Sequence, residues 1–201
     1  MFTGIIEALG EVLDIIPDEG TNLTFRLRAG LAPELKIDQS LSHNGVCLTV
    51  TDVQADTYTV TAVDETLKKT ALRHLNVGSL VNLERCMPAN GRFDGHIVQG
   101  HVDQIGRCTA ITDAQGSWLF DFEYETTGPD TTTENVTVEK GSICINGVSL
   151  TVFNSARTSF RVAIIPYTYQ HTTFHRLHVG DAVNLEFDII GKYIQRMLAE
   201  R

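Results

Sequence analysis

The stretch His43–Val50, HNGVCLTV, returns as INGVSLTV at Ile145–Val152 with two of its eight positions changed. A second pair, NVGSLVNLE at Asn76–Glu84 and HVGDAVNLE at His178–Glu186, keeps the same offset of 102 positions. One short match could reflect a shared turn preference. Two long matches held in register indicate an internal duplication. VTAVDET at Val60–Thr66 lines up with VAIIPYT at Val162–Thr168 at that offset, whereas GIIEALGEV at Gly4–Val12 and GHVDQIGRC at Gly100–Cys108 are 96 apart, so six residues were gained between these blocks. The join falls near Ile97, after the loop-like MPANGRFDG. Two similar domains, 1–97 and 98–187, are therefore expected, each with its own core, facing one another across a pseudo-twofold relation. Residues 188–201 form a separate tail.

Each half reads as strands. CLTVTDV, TYTVTAV and LVNLER alternate polar with apolar residues and are rich in Val, Leu, Tyr and Thr, the pattern of half-buried β-structure. Asn44-Gly45, Asn146-Gly147, Val77-Gly78 and Val179-Gly180 punctuate them as turns. The fold class is all-β, with one small closed barrel per half, because closure removes the exposed strand edges that an open sheet would have to protect. Short helical turns are expected at 65–75 and 168–177. The tail, DIIGKYIQRMLAER, places Ile190, Ile194 and Met197 on one stripe, an amphipathic helix with two ways to bury that stripe: copies of itself in other subunits, or its own barrel.

Composition narrows the function classes. Sixteen Lys and Arg against 25 Asp and Glu give a net charge of −9, which repels phosphate backbones and anionic headgroups, so neither nucleic acid nor membrane is an expected partner. The N-terminus shows no basic region followed by a long apolar run, so a cytoplasmic address is expected. Cys47, Cys86, Cys108 and Cys144 form no CxxC pair, which argues against structural zinc and for reduced thiols. His96 and His101 lack a third ligand at metal-binding spacing.

Taken in order, MFTGIIE, SHNGVCLTV, GHIVQGHVD, GVSLTV and the terminal DIIGKYI resemble the riboflavin synthases, a family with a duplicated lumazine-binding domain. The resemblance covers essentially the whole chain. It implies two six-stranded Greek-key barrels, each holding one 6,7-dimethyl-8-ribityllumazine, and a homotrimer assembled through the C-terminal helix. It also implies a dismutation that moves a four-carbon unit between two identical substrates, giving riboflavin and 5-amino-6-(ribitylamino)uracil with no cofactor and no metal. A lumazine synthase capsid is a further partner to consider. Duplication then has a chemical reason: two copies of one molecule need two pockets of one shape, and pockets held face to face turn a collision into a held encounter.

By the same resemblance the chemistry falls among Ser40, Cys47, His101, Ser149, Thr151 and Asp188, with Lys140 on the ligand. Substrate would lie against Phe2, Thr3, Gly4, Ile5 and Ile6, with Gly100, His101 and Val102 opposite. The strands would add Cys47, Leu48 and Thr49 in the first copy and Ser149, Leu150 and Thr151 in the second. Thr61, Ala62, Val63, Asp64, Glu65 and Thr66, with Ala163, Ile164, Ile165, Pro166, Tyr167 and Thr168, complete the two pockets. Where the copies differ, their roles should differ: Cys47 aligns with Ser149 and Asp38 with Lys140, while Thr49 and Thr151 are shared. Bland readings stand beside these. His101 suits a turn, His96 the linker, Cys47 a core, Lys140 a surface, and Asp188 a helix N-cap. A non-catalytic lumazine or flavin carrier of the same fold, and a structural barrel pair, are the rival functions.

Overall fold

Asn44-Gly45 and Asn146-Gly147 both adopt left-handed backbone, with φ of 47° and 80° in the first pair and 47° and 83° in the second. These are the dihedrals a two-residue hairpin needs to match the twist of its strands. Around them the computed structural model, which describes residues 1–18, 20–126 and 135–199, builds the same barrel twice. The first comprises β1 (Ala8–Pro17), β2 (Leu23–Arg28), β3 (Ser40–His43), β4 (Val46–Gln54), β5 (Thr57–Ala62) and β6 (Leu80–Arg85). The second comprises β7 (Gln104–Asp113), β8 (Trp118–Tyr124), β9 (Ser142–Ile145), β10 (Val148–Phe153), β11 (Ser159–Ile164) and β12 (Ala182–Phe187). The circles close in equivalent order, β1-β2-β5-β4-β3-β6 and β7-β8-β11-β10-β9-β12, and every pairing is antiparallel. A register shift at Val12/Asp14 recurs at Cys108/Ala110, and such bulges supply the bend that lets a short sheet close.

Inward-facing positions correspond one to one. Val50, Val60, Val81 and Leu83 fill the first barrel; Val152, Val162, Val183 and Leu185, at the 102 offset, fill the second. The second core is more aromatic, with Phe120, Phe122, Phe160 and Phe174 buried. One difference between the cores is a paired exchange. In the first, His43 lies 2.9 Å from the Tyr58 hydroxyl and places Nδ1 3.1 Å from the Leu41 carbonyl. The second has Ile145 and Phe160 at the matching places. A carbonyl accepts only, so Nδ1 carries the proton and Nε2 accepts from Tyr58.

α1 (Asp64–Lys69) and α2 (Pro166–His171) follow β5 and β11, and each is continued by a 3₁₀ turn. Thr70 and Thr172 accept from the N–H two residues on at those turns. α3 (Ile189–Ala199) ends the described chain. Asp188 caps it through the Ile190 N–H at 2.9 Å, and Lys192 pairs with Asp103 at 2.6 Å. Among the described residues no helix is long and apolar enough to cross a membrane.

The barrels are clasped about the pseudo-twofold. Asn82 donates to the Asn146 carbonyl at 2.8 Å and accepts from Thr173 N–H at 2.8 Å; Asn184 donates to the Asn44 carbonyl at 2.8 Å and accepts from Ala71 N–H at 2.6 Å. Gly45 and Gly147 meet between them, where a Cβ on Gly45 would lie 2.8 Å from the Gly147 nitrogen.

Two outcomes follow from this packing. Asn82→Ala strands a buried carbonyl and a part-buried N–H, so chemical denaturation should show a loss of about 2–4 kcal/mol; an unchanged midpoint would remove the clasp's energetic role. Burial without a counter-charge lowers the pKa of His43 to about 4. Between that value and the unfolded value near 6.5, unfolded chain binds a proton that folded chain does not, so stability is complete above pH 6.5 and falls as pH drops toward 4, by on the order of 3 kcal/mol. The double variant His43→Ile/Tyr58→Phe, which copies the second barrel, should flatten that dependence in urea melts at stepped pH.

Candidate active site

Strand alternation decides which residues can meet a ligand. On β10, Val148 and Val152 point into the barrel, while Ser149, Thr151 and Phe153 face outward. With Lys140, Leu150, Ala163, Ile165 and Thr168 they line an outer cleft of about 480 Å³. Lys140 holds a left-handed φ of 63° and suspends its ammonium 6.0 Å above the Phe153 ring, a cation–π distance. At the 102 offset the first barrel carries Asp38, Cys47, Leu48, Thr49, Thr51, Thr61, Val63 and Thr66. Asp38 repeats the positive φ, at 74°, and its N–H reaches Val50 as that of Lys140 reaches Val152, both at 2.9 Å. The outer faces of the two barrels thus share this backbone turn. They differ in charge and surface: an acid with Thr51 in one, a cation with a phenyl ring in the other.

Alternation also separates the expected contacts. Leu48, Ala62 and Ile164 are buried in the barrel cores, so they can present backbone groups at most. Val63, Ile165 and Tyr167 are exposed, and Tyr167 stacks on His171 at 4.1 Å. Pro166 opens α2. Asp64 and Glu65 are tied to Lys68 and Lys69 at 2.5 and 2.7 Å, and the carbonyl of Thr66 accepts from the Thr70 hydroxyl.

The segments entering each barrel cross to the other. Phe2 pairs with Val98 and is fully buried, sharing a small cluster with Cys144 and Cys47. Ile6 packs on the second core and Val102 on the first. Gly4 accepts from the Ser149 N–H at 2.8 Å and Gly100 from the Cys47 N–H at 2.9 Å. Thr3 is buried beside Glu84, and Ile5 is exposed.

Ser149 lies 2.7 Å from Nδ1 of His96. Burial lowers the His96 pKa and outweighs the opposing field of Asp188, so the ring favours its neutral form, which can take or give a proton. The sequence reading set His96 behind His101 and left it to the linker; the structure puts His96 on the Ser149 hydroxyl, while His101 is exposed and anchored by its backbone N–H to Glu186 at 2.9 Å. The spacing of Gly95-His96 and Gly100-His101 marks both histidines, and the crossing of the chain brings His96 to Ser149. Ser40 bonds the half-buried Cys47, whose pKa is raised by desolvation although that bond opposes it. Cys47 is thereby kept as a thiol, and is not an activated thiolate.

The lumazine binding domain model matches residues 3–86 and again 99–188. Riboflavin synthase of Actinobacillus pleuropneumoniae is 42% identical over all of this chain and 91% of its own length, and that of Bacillus subtilis is 39% identical over 98% of this chain and 90% of its own. The yeast Saccharomyces cerevisiae enzyme of that name is 34% identical over 98% of this chain and 86% of its own. A solved structure of LumP complexed with riboflavin superposes with a TM-score of 0.82 at 21% identity, covering 93% of this chain and 99% of that one. Two matched domains and full-length relatives at these identities lead to one assignment: the chain belongs to the riboflavin synthase family of duplicated lumazine-binding proteins.

Proposed function

We propose that this chain makes riboflavin by dismutating two molecules of 6,7-dimethyl-8-ribityllumazine, releasing 5-amino-6-(ribitylamino)uracil. The observation that carries the reading is the pair of equivalent outer faces, taken here as twin clefts, with unlike polar groups, Cys47 and Asp38 on one, Ser149 and Lys140 on the other. Two identical substrates must play unlike parts, one attacked at C7 and the other losing a proton from its acidic C7 methyl group. Every atom of the two substrates reappears in the two products, so the transfer needs no external oxidant. Neutral His96, 2.7 Å from the Ser149 hydroxyl, is suited to carry the proton, with Asp188 nearby to favour the imidazolium as it forms. Thr49 and Thr151, outward-facing and shared, are suited to a feature both ligands present, and we assign Ser40, bonded to Cys47, and His101 to the first cleft.

The reaction needs the clefts to meet, and α3 suggests how. Ile190, Ile194 and Met197 are 58%, 53% and 67% exposed, so the stripe is not docked on its own barrel. Burying it contributes on the order of 4 kcal/mol per helix. Copies of the same helix are the natural cover, giving a homotrimer in which the first barrel of one chain faces the second barrel of its neighbour. Docking in a lumazine synthase capsid would be a further level of assembly.

Mixing the protein with dimethylribityllumazine should generate riboflavin absorbance. Binding without conversion would instead identify a carrier. Ser149→Ala should lower kcat by about a hundredfold or more, the usual worth of a positioned proton carrier, while titration of the first cleft stays at the wild-type affinity; wild-type turnover would count against the role. Removing residues from Asp188 onward should abolish trimer and activity together in light scattering and assay, whereas a fully active monomer would contradict a site shared between subunits.

A further inference from the structure

The repeated VNLE phrase ends the last strand of each barrel with a carboxylate that the proposed proton transfers do not use, Glu84 on β6 and Glu186 on β12. Both are buried, at 4% and 3% exposure. Backbone N–H groups hold them. Glu84 Oε1 accepts from Thr3 N–H at 2.6 Å and the Thr3 hydroxyl at 2.8 Å, and Oε2 from Gly4 N–H at 2.9 Å. Glu186 Oε1 accepts from Gln99 N–H at 2.6 Å, and Oε2 from the N–H groups of Gly100 and His101, each at 2.9 Å. A carboxylate taken out of water is tolerated when its lone pairs are filled in this way.

The segment each carboxylate grips serves the other barrel. Gly4, held by Glu84, accepts from the Ser149 N–H at 2.8 Å; Gly100, held by Glu186, accepts from the Cys47 N–H at 2.9 Å. Contact at these points leaves no slack. A Cβ on Gly4 would lie 2.6 Å from that of Ser149, and one on Gly100 the same distance from that of Cys47. Their φ values, 79° and 81°, are also ones that glycine alone takes without strain. Any shift of the segment therefore moves the cleft residue.

We infer that Glu84 and Glu186 are crossed positioning residues: Glu84, rooted in the first barrel, sets the Ser149 cleft of the second, and Glu186, rooted in the second, sets the Cys47 cleft of the first. The inference rests on the clefts proposed above as substrate sites. Each cleft is thereby referred to the framework of the opposite barrel, which keeps the two in a common frame. Displacements of about 1 Å at a reacting group cost on the order of a hundredfold in rate, so such referencing has kinetic value.

Glu84→Gln and Glu186→Gln keep the side-chain size but turn one acceptor oxygen into an amide donor facing an N–H. Hydrogen exchange by mass spectrometry on the full-length protein, with and without riboflavin, reads peptides 43–50 and 145–152 separately. Glu84→Gln should speed exchange in 145–152 and leave 43–50 at the wild-type rate; Glu186→Gln should do the reverse. In each, kcat should fall about tenfold or more with KM changed less than about threefold, and riboflavin should still protect the undisturbed peptide. A carboxylate serving only its own barrel would loosen the peptide on its own side, and that pattern, or equal loosening of both, overturns the inference. So does unchanged exchange with wild-type kcat. If a Gln variant does not fold, Glu84→Asp, with the charge kept on a shorter arm, must give the same crossed pattern in weaker form. Wild-type chain that makes no riboflavin would remove the proposed function, whereas the exchange pattern by itself decides this inference.

Discussion

Four asparagine side chains clasp the two barrels to each other at the centre of the molecule. Asn44 and Asn146 accept from the backbones of Asn82 and Asn184, and Asn82 and Asn184 reach across to the opposite hairpins. All four are buried. In such surroundings a satisfied amide is worth modestly more than its water contacts, but an unsatisfied one costs about 1–3 kcal/mol, so the clasp is punishing to misalign. The bare hairpin glycines allow the approach, since any side chain on Gly45 would press on the Gly147 backbone.

The VNLE phrase, identical in the two repeats, places a residue of the clasp among residues with other tasks. In VNLE, Val81 and Leu83 fill the barrel, Asn82 makes the clasp and Glu84 grips the crossing segment; Val183, Asn184, Leu185 and Glu186 repeat the assignment. Divergence went elsewhere. His43 with Tyr58 stands against Ile145 with Phe160, a paired difference, because either polar group alone would be buried without its partner. Around the clefts the exchange is electrostatic, from Asp38 and Thr51 to Lys140 and Phe153. An architecture kept symmetric by its core and clasp can therefore present unlike surfaces to two copies of one molecule.

Cross-wiring couples these levels. Residues 2–6 lie against the second barrel and residues 98–102 against the first, so neither cleft is complete within its own repeat. His96 reaches Ser149, and Phe2 packs beside Cys144, by the same route. A barrel cut out at the repeat boundary would keep its core and lose the strands' outer supports.

The linear order of residues was enough to show the duplication, the strands at CLTVTDV, TYTVTAV and LVNLER and the capped terminal helix, because alternation, Asn-Gly turns and an N-cap carboxylate are signals carried by neighbours in the chain, whereas six strands per barrel came only with the family resemblance. The same alternation also held a finer reading: with Val50 and Val152 inward, Leu48 must share their face, and Cys47, Thr49, Ser149 and Thr151 must share the other. What only the tertiary structure decided is the partnership of groups far apart in sequence, Thr3 with Glu84, His96 with Ser149, Asn82 with Asn146. Those contacts depend on how two closed barrels dock and where the linking segments then pass. No local propensity encodes such a path, since it is set by close packing and by the need to satisfy every buried polar group at once.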